Sequence, residues 1–162
     1  MNIERRSIEL RASATGPDAS ASGLGRISGR AIVYDSRSEV LENAYREIIR
    51  PGSIRLCDQL LVLAGHNPQH VLGRVSNGTA RVWDDGRGIC FDVELPETTY
   101  ARDLRASMAR GDVHQCSFAM QVRADDWRMD CDVAVREVLL ADVLELSIVA
   151  LPAYPATEAA IT

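Results

Sequence analysis

The sequence predicts an α+β domain built around a β-barrel-like, strongly bent sheet of short strands, with one or a few flanking helices. Short apolar segments separated by turn residues, a single helical pattern and the lack of an internal repeat all favour this class. The chain has 162 residues, of which 46% are hydrophobic and 25% charged. We therefore expect one domain over 1–162, with a flexible loop at 13–25 and a tail at 153–162.

Strand patterns fill the first third of the chain, and each is bounded by residues that favour turns or loops. We expect strands at 6–12 and 27–34, and the segment 45–50 runs into a Pro-Gly-Ser break. The stretch 54–63 is expected to begin as a short helix or loop. It should end as a buried apolar strand that leads to His66.

Hairpin signals and one helical pattern occupy the middle of the chain. Asn-Gly at 77–78 and Asp-Asp-Gly at 84–86 favour tight turns between short strands. A helix is expected next. Thr98 or Thr99 can cap its start, and Gly111 suits the left-handed conformation that ends it.

The last third of the chain is expected to consist of strands. One strand is predicted at 113–122, within VHQCSFAMQV. The stretch 127–152 has enough apolar alternation for two or three more strands, the last of which stops at a proline.

Charge and composition exclude several functional classes. The net charge is −5 and all 18 basic residues are arginine without a clustered basic face, so nucleic-acid binding is not expected. No apolar run is long enough for a membrane span, and no signal peptide is visible, so a cytosolic protein is expected. The four cysteines and three histidines lack metal-site spacing. We therefore expect no metal or cofactor, and reduced, mostly buried thiols.

Hydrolysis by a serine requires a hydroxyl, a base and a group that orients the base. Only three histidines exist, so the base can be sought by elimination, and His66 lies where a buried strand opens into a turn. Ser117 lies within an apolar strand and is a candidate nucleophile. Its neighbour Cys116 is a rival, because a thiolate is the better attacking group. Small buried serines and turn histidines are also common without any catalytic role.

The third member of such a site could be either of two carboxylates in the last strand. Glu145 lies between leucines, where a carboxylate is costly to bury unless it has a partner such as an imidazole. Asp142 lies at the beginning of the same strand and is easier to solvate. Both carboxylates remain open on this reasoning.

Seven segments, taken together, resemble the prohead protease family of tailed bacteriophages. In chain order they are GRAIVYD, REIIRPGSI, LLVLAGHNPQHVLGRV, WDDGRGICFDVELPET, YARDLRASMARGDV, QCSFAMQV and LELSIVALPAYPAT. Each is weak alone, whereas their order and spacing over about residues 26 to 158 are specific. The resemblance implies His66 as base, Ser117 as nucleophile and Glu145 as orienter, with Asp142 the weaker candidate.

The same resemblance implies a fold similar to that of the herpesvirus capsid proteases, in which a second histidine takes the third place. It also implies cleavage of scaffold or major capsid protein, and of the protease itself, inside the immature capsid in the host cytoplasm. Those two proteins would be its partners, and a homodimer or higher oligomer is left open. The competing interpretations are an inactive module for capsid assembly or scaffold binding, and a thiol protease that uses Cys116.

Overall fold

A computed structural model describes residues 4–8, 23–151 and 158–161 of the chain. Most of the predicted loop at 13–25 and six of the ten residues of the predicted tail at 153–162 lie outside the described residues. The elements, in order, are β1 (Glu4–Ile8), β2 (Arg26–Val33), β3 (Tyr45–Ile49), β4 (Ile54–Arg55), β5 (Leu61–Ala64), β6 (Asn67–Arg74), β7 (Ala80–Asp84), β8 (Gly88–Glu94), α1 (Thr99–Ala109), β9 (Gln115–Asp130), β10 (Val133–Val149) and β11 (Glu158–Ile161). The last strand, β11, falls within the predicted tail.

The strands form two sheets. The larger has seven strands in the order β1-β9-β10-β5-β6, and β3 and β4 also pair with β10. Along its length, β10 pairs in parallel with β3, then β4, then β5, while β9 pairs with its other edge in antiparallel orientation. The smaller sheet has the order β11-β2-β8-β7. Strand β10 is therefore the central strand of the larger sheet, since four other strands pair with it.

The α+β class holds, since one helix accompanies these strands, but the predicted barrel-like closure is wrong, and not all of the strands are short. Both sheets are open over the part of the chain that the structure describes, and β9 and β10 have 16 and 17 residues. Three register shifts interrupt the pairing of β10 with β9. Such bulges bend a long strand without ending it, so the stretch 127–152, predicted to hold two or three strands, contains the end of β9 and one continuous strand, β10.

Residues from both sheets and from α1 pack into one apolar core. Its largest fully buried side chains are Phe91, Phe118, Ile27, Ile32, Ile49, Leu60, Ile89, Met120, Leu146 and Ile148. Gly88 allows β8 to approach β2 closely, because a Cβ atom at this position would meet the Ile32 carbonyl oxygen. The core therefore joins the smaller sheet to the larger sheet, whose strands carry the candidate catalytic residues.

The predicted helix is confirmed as α1. Ala101 is buried, while Leu104 and Met108 pack against the core from the same side of the helix. Thr98 occupies the N-cap, although its side chain makes no capping hydrogen bond, and Gly111 follows the helix with φ 81°. In the described ranges, no helix is long and apolar enough to cross a membrane.

All four cysteines are free, but the expectation that most are buried is wrong. Cys116 is buried and Cys90 partly so, whereas Cys57 and Cys131 are exposed. Cys131 lies in the turn between β9 and β10 with φ 55°, and Cys57 lies in the loop between β4 and β5. Cys131 is exposed because the long strands β9 and β10 end beside it, and Cys57 is exposed because it lies in a loop between two short strands.

Two carboxylates on β10 each bind two arginines from neighbouring segments. The pairs are Arg50 and Arg128 at Glu137, and Arg55 and Arg123 at Asp142. Hydrogen bonds from these guanidinium groups hold the pKa of Glu137 and the pKa of Asp142 below their ordinary values. Each carboxylate is therefore more easily protonated in the unfolded chain than in the folded one.

We expect these pairs to make the fold sensitive to acid. Their contribution to stability is present above the unfolded pKa values, about 4, and is lost as the pH falls through the lower folded values. Urea unfolding at about pH 7 and about pH 3 measures the change in the free energy of unfolding. The double variant Glu137→Gln, Asp142→Asn should lose less stability between the two pH values than the parent. Equal losses would show that these carboxylates do not control the acid response.

Candidate active site

His66 lies in a two-residue turn that connects β5 to β6. Ala64 and Asn67 pair across this turn, and Gly65 and His66 have φ values of 63° and 58°. Positive φ at both central residues is what a type I′ hairpin turn requires. Glycine adopts such a conformation freely, whereas a histidine seldom does. The Gly65 N–H donates to the Ile148 carbonyl at 2.9 Å, which holds the turn against β10.

Ser117 lies on β9, between strands on both sides. It pairs with Ser147 of β10 on one edge and with Ser7 of β1 on the other. Ser117 is fully buried. Because hydrogen-bonded strands flank it on both sides, its backbone position is fixed by the sheet rather than by a loop.

A register shift in β10 determines where Glu145 lies. Val143 pairs with Met120, and Glu145 pairs with Ala119, so one residue of β10 is extra between them. Directly opposite residues of an antiparallel pair share a face of the sheet, as do residues two apart on one strand. Beyond the shift, Glu145 is therefore in phase with Ser117 and lies on the same face of the sheet.

Both ring nitrogens of His66 are engaged. Nε2 lies 2.5 Å from Ser117 Oγ, and Nδ1 lies 2.5 Å from Glu145 Oε1. The side chains of His66 and Glu145 are 18% and 13% exposed. An ionised carboxylate only accepts hydrogen bonds, so Nδ1 carries the proton and Nε2 presents a lone pair to the serine hydroxyl. This arrangement can accept a proton from Ser117. The structure thus brings His66, Ser117 and Glu145 together.

The family model of the caudovirus prohead serine protease matches residues 7–162. The chain belongs to this family. The match confirms the family that the sequence resembles and indicates a serine peptidase of phage capsid maturation. No curated protein and no solved structure matches the chain. The similarity to herpesvirus proteases therefore stays a prediction.

Ser147 is a residue of the candidate site that sequence reasoning missed. Its Oγ accepts a hydrogen bond from the His66 backbone N–H at 3.1 Å and donates one to Glu145 Oε2 at 2.7 Å. It is fully buried and pairs across the sheet with Ser117. The available signal was its spacing of two residues from Glu145, which places both on one face of a strand.

Asp142, the alternative third member, binds elsewhere in the prohead protease. Its carboxylate accepts hydrogen bonds from Arg55 and Arg123 at 2.7 and 2.6 Å. It pairs with Gln121, on the far side of the register shift from Glu145. The carboxylate that contacts His66 is therefore that of Glu145.

Cys116, the rival nucleophile, precedes Ser117 on β9, and strand alternation places it on the opposite face of the sheet. Burial raises the pKa of its thiol far above the ordinary value. The thiol therefore stays protonated at neutral pH, and a protonated thiol is a poor nucleophile. Neither its position nor its protonation suits attack on a peptide bond.

The other two histidines have different surroundings. His70 stacks on Tyr100 of α1 with ring centroids 4.8 Å apart, and His114 Nδ1 lies 3.0 Å from the Gly111 carbonyl oxygen.

A cleft of about 350 Å³ lies along β6 and the segment after β8. His66, Ser117 and Glu145 do not line it. The three candidate catalytic residues are therefore identified by their hydrogen bonds across the sheet and not by their position in this cleft.

Proposed function

We propose that this prohead protease is a serine endopeptidase that cleaves scaffold or major capsid protein, and itself, inside the immature capsid in the host cytoplasm. The observation that carries the proposal is the engagement of both His66 nitrogens, by Ser117 Oγ and by Glu145 Oε1. Membership in the caudovirus prohead serine protease family supports the capsid context. The scaffold and capsid proteins are therefore the proposed partners.

The proposed mechanism has two acyl-transfer steps. Ser117 Oγ attacks the scissile carbonyl carbon while His66 Nε2 takes its proton, and the protonated imidazole then gives that proton to the departing amine. Water, deprotonated by His66, next attacks the acyl-enzyme ester, which releases the second product and restores the serine hydroxyl. Throughout, Glu145 holds the Nδ1 proton and stabilises the imidazolium that forms.

Access to Ser117 is an additional requirement of this mechanism. The residue is fully buried, so a peptide carbonyl reaches its Oγ only when atoms that cover it move. Substrate-driven movement of loops and strands is a common step in enzymes that exclude water from the reacting atoms. A small phosphorus electrophile requires a smaller opening than a polypeptide, and is therefore the better first probe.

A non-enzymatic assembly module is the competing function, and it requires no particular side-chain geometry. It leaves unexplained why Glu145, in an apolar strand, is only 13% exposed and why its carboxylate binds an imidazole. It also leaves the contact between His66 and a buried serine without a role. Pairing with His66 offsets the cost of burying this carboxylate, and a catalytic role gives a reason for having the buried pair at all, which favours the enzyme.

We expect a fluorophosphonate probe to label the purified chain on Ser117. The Ser117 oxygen forms a bond to phosphorus, fluoride leaves and the hydroxyl proton passes to His66. Peptide mapping by mass spectrometry identifies the labelled residue, and the variant His66→Ala should label at least about 100-fold more slowly, because general-base assistance is lost. Equal labelling of the parent and this variant, or modification of another residue alone, would contradict the proposal.

The variant Cys116→Ala tests the thiol alternative directly. It should retain the labelling rate of the parent within about threefold, at a cost of about 1 kcal/mol in stability from the smaller side chain in the core. Labelling kinetics and thermal unfolding provide the two measurements. Loss of labelling in a folded Cys116→Ala protein would favour a thiol protease.

A further inference from the structure

Ser147 contacts two of the three proposed catalytic residues through one oxygen atom. We infer that it is a positioning residue, whose hydroxyl holds the Glu145 carboxylate and the His66 backbone in a single arrangement. The inference rests on the proposed function, because positioning affects the rate only if Glu145 and His66 take part in catalysis. Its evidence is the direction of its hydrogen bonds, the geometry of its partners and its place in the sheet.

The two hydrogen bonds of Ser147 Oγ have only one consistent direction. The His66 backbone N–H can only donate, so the serine oxygen accepts this bond at 3.1 Å. The Glu145 carboxylate offers acceptor atoms, so the hydroxyl donates its single proton to Oε2 at 2.7 Å. The hydroxyl is therefore held at both ends and has no freedom to rotate without losing one bond.

The bond from Ser147 fixes the plane of the Glu145 carboxylate. The terminal torsion of a glutamate has broad preferences, so a single hydrogen bond at Oε1 leaves the carboxylate free to turn. With Oε1 on His66 Nδ1 and Oε2 on Ser147, both oxygens have defined positions. Since the Glu145 side chain is 13% exposed, water has little room to replace the serine.

The other bond holds the backbone that carries the imidazole. His66 has φ 58°, a conformation that few residues other than glycine adopt, and its N–H is bound by Ser147 Oγ. The preceding Gly65 N–H is bound by the carbonyl of Ile148, the next residue of β10. The base and its orienter are therefore attached to the same short stretch of one strand.

Strand register extends this arrangement to the nucleophile. Ser147 is the direct cross-strand partner of Ser117 in the antiparallel pair of β9 and β10. Direct partners lie on the same face and have the closest Cβ atoms in a sheet. One residue thus lies beside the nucleophile and binds both other members of the proposed triad.

A purely structural role is the alternative, because small buried serines often satisfy backbone groups. Ser38 is such a residue and provides a matched control. It is also fully buried, donates to the Glu39 carbonyl at 2.6 Å and accepts from the Glu47 N–H at 2.8 Å. Both serines make one donated and one accepted bond, but the partners of Ser38 are backbone groups outside the site.

The test compares Ser147→Ala and Ser38→Ala in the full chain, with a fluorophosphonate as the probe. The saturating labelling rate of Ser147→Ala should fall about 10- to 100-fold, while the half-saturating probe concentration stays unchanged. Losses of this size are typical when a residue that orients a metal-binding side chain is removed. Ser38→Ala should label at the parent rate. Ser147→Thr, which keeps the hydroxyl on a side chain suited to strands, should recover most of the rate. Thermal unfolding separates lost labelling from lost fold.

A double-mutant cycle separates positioning from a general loss of structure. If Ser147 acts through Glu145, adding Ser147→Ala to Glu145→Gln should slow labelling by no more than about threefold further. If the two substitutions slow labelling independently, so that their effects multiply in the double variant, the inference is overturned. It is also overturned if Ser147→Ala labels at the parent rate while Glu145→Gln labels slowly. Either result leaves the proposed function intact. A parent rate for Glu145→Gln itself would instead overturn the proposed function. If Ser147→Ala does not fold, Ser147→Cys replaces it, because cysteine has a similar volume and its thiol is a poor hydrogen-bond donor. Labelling of Ser147→Cys at the parent rate would also overturn the inference.

Discussion

Replacing Ser117 with alanine is expected to abolish processing of scaffold or major capsid protein when the chain is produced together with them. The change removes the hydroxyl oxygen that lies 2.5 Å from His66 Nε2 and that we propose as the nucleophile. Loss of a serine nucleophile lowers the turnover number by a factor on the order of 10⁶, so cleaved products should fall below detection. Gel electrophoresis and mass spectrometry of the capsid proteins measure the result.

The fold should tolerate this substitution. Ser117 is fully buried among paired strands, and alanine is smaller, so the stability cost is expected to be about 1 kcal/mol. Cys116→Ala, one residue away, is the matched control for disturbance of the strand and should process normally. Continued processing by folded Ser117→Ala would refute the assignment of the nucleophile.

Replacing Glu145 with glutamine is expected to slow labelling by a fluorophosphonate by a factor on the order of 10⁴. Glutamine has nearly the same shape, so packing in the strand is retained, but the negative charge beside His66 Nδ1 is lost. If its amide nitrogen faces Nδ1, the imidazole proton moves to Nε2, and the base can no longer accept the serine proton. The labelling rate and the unfolding temperature provide the two measurements.

Asp142→Asn is the matched control for this prediction. It removes a carboxylate from the same strand, three residues before Glu145, where the partners are Arg55 and Arg123. These pairs are largely at the surface, so their loss should change stability by less than about 1 kcal/mol and labelling by less than about threefold. A slow Asp142→Asn beside a fast Glu145→Gln would exchange the proposed roles of the two carboxylates.

Local signals in the sequence predicted many elements of the fold because their causes are local. The β7–β8 hairpin with its turn at 84–86, the helix α1 and the termination of this helix near Gly111 all depend on residues a few positions apart. The turn signal at 77–78 does not produce a hairpin, because the strands on its two sides, β6 and β7, belong to different sheets. The extent of β9 and β10 was not predictable in this way. The acidic stretch at the end of β9 has exposed side chains, and its strand conformation is supported by pairing with β10 rather than by burial.

The open sheets also could not be deduced from the local pattern. Alternation of apolar and polar residues predicts which face of a strand is buried, but it does not determine which strands become neighbours. In this chain β10 has β9 on one edge and three short strands in succession on the other. This branching pairing leaves two open sheets over the described residues in place of the predicted barrel.

For the candidate site, the sequence by itself determined the residue types and the family. Three histidines limited the choice of base, an apolar strand made Glu145 conspicuous, and the order of seven segments indicated prohead proteases. Tertiary structure decided the distances, since a hairpin turn, a register shift and a cross-strand pair bring His66, Glu145 and Ser117 together. It also decided that Ser147 binds the His66 backbone as well as its neighbour Glu145, because a hydrogen bond between residues 81 positions apart depends on strand pairing and not on local sequence.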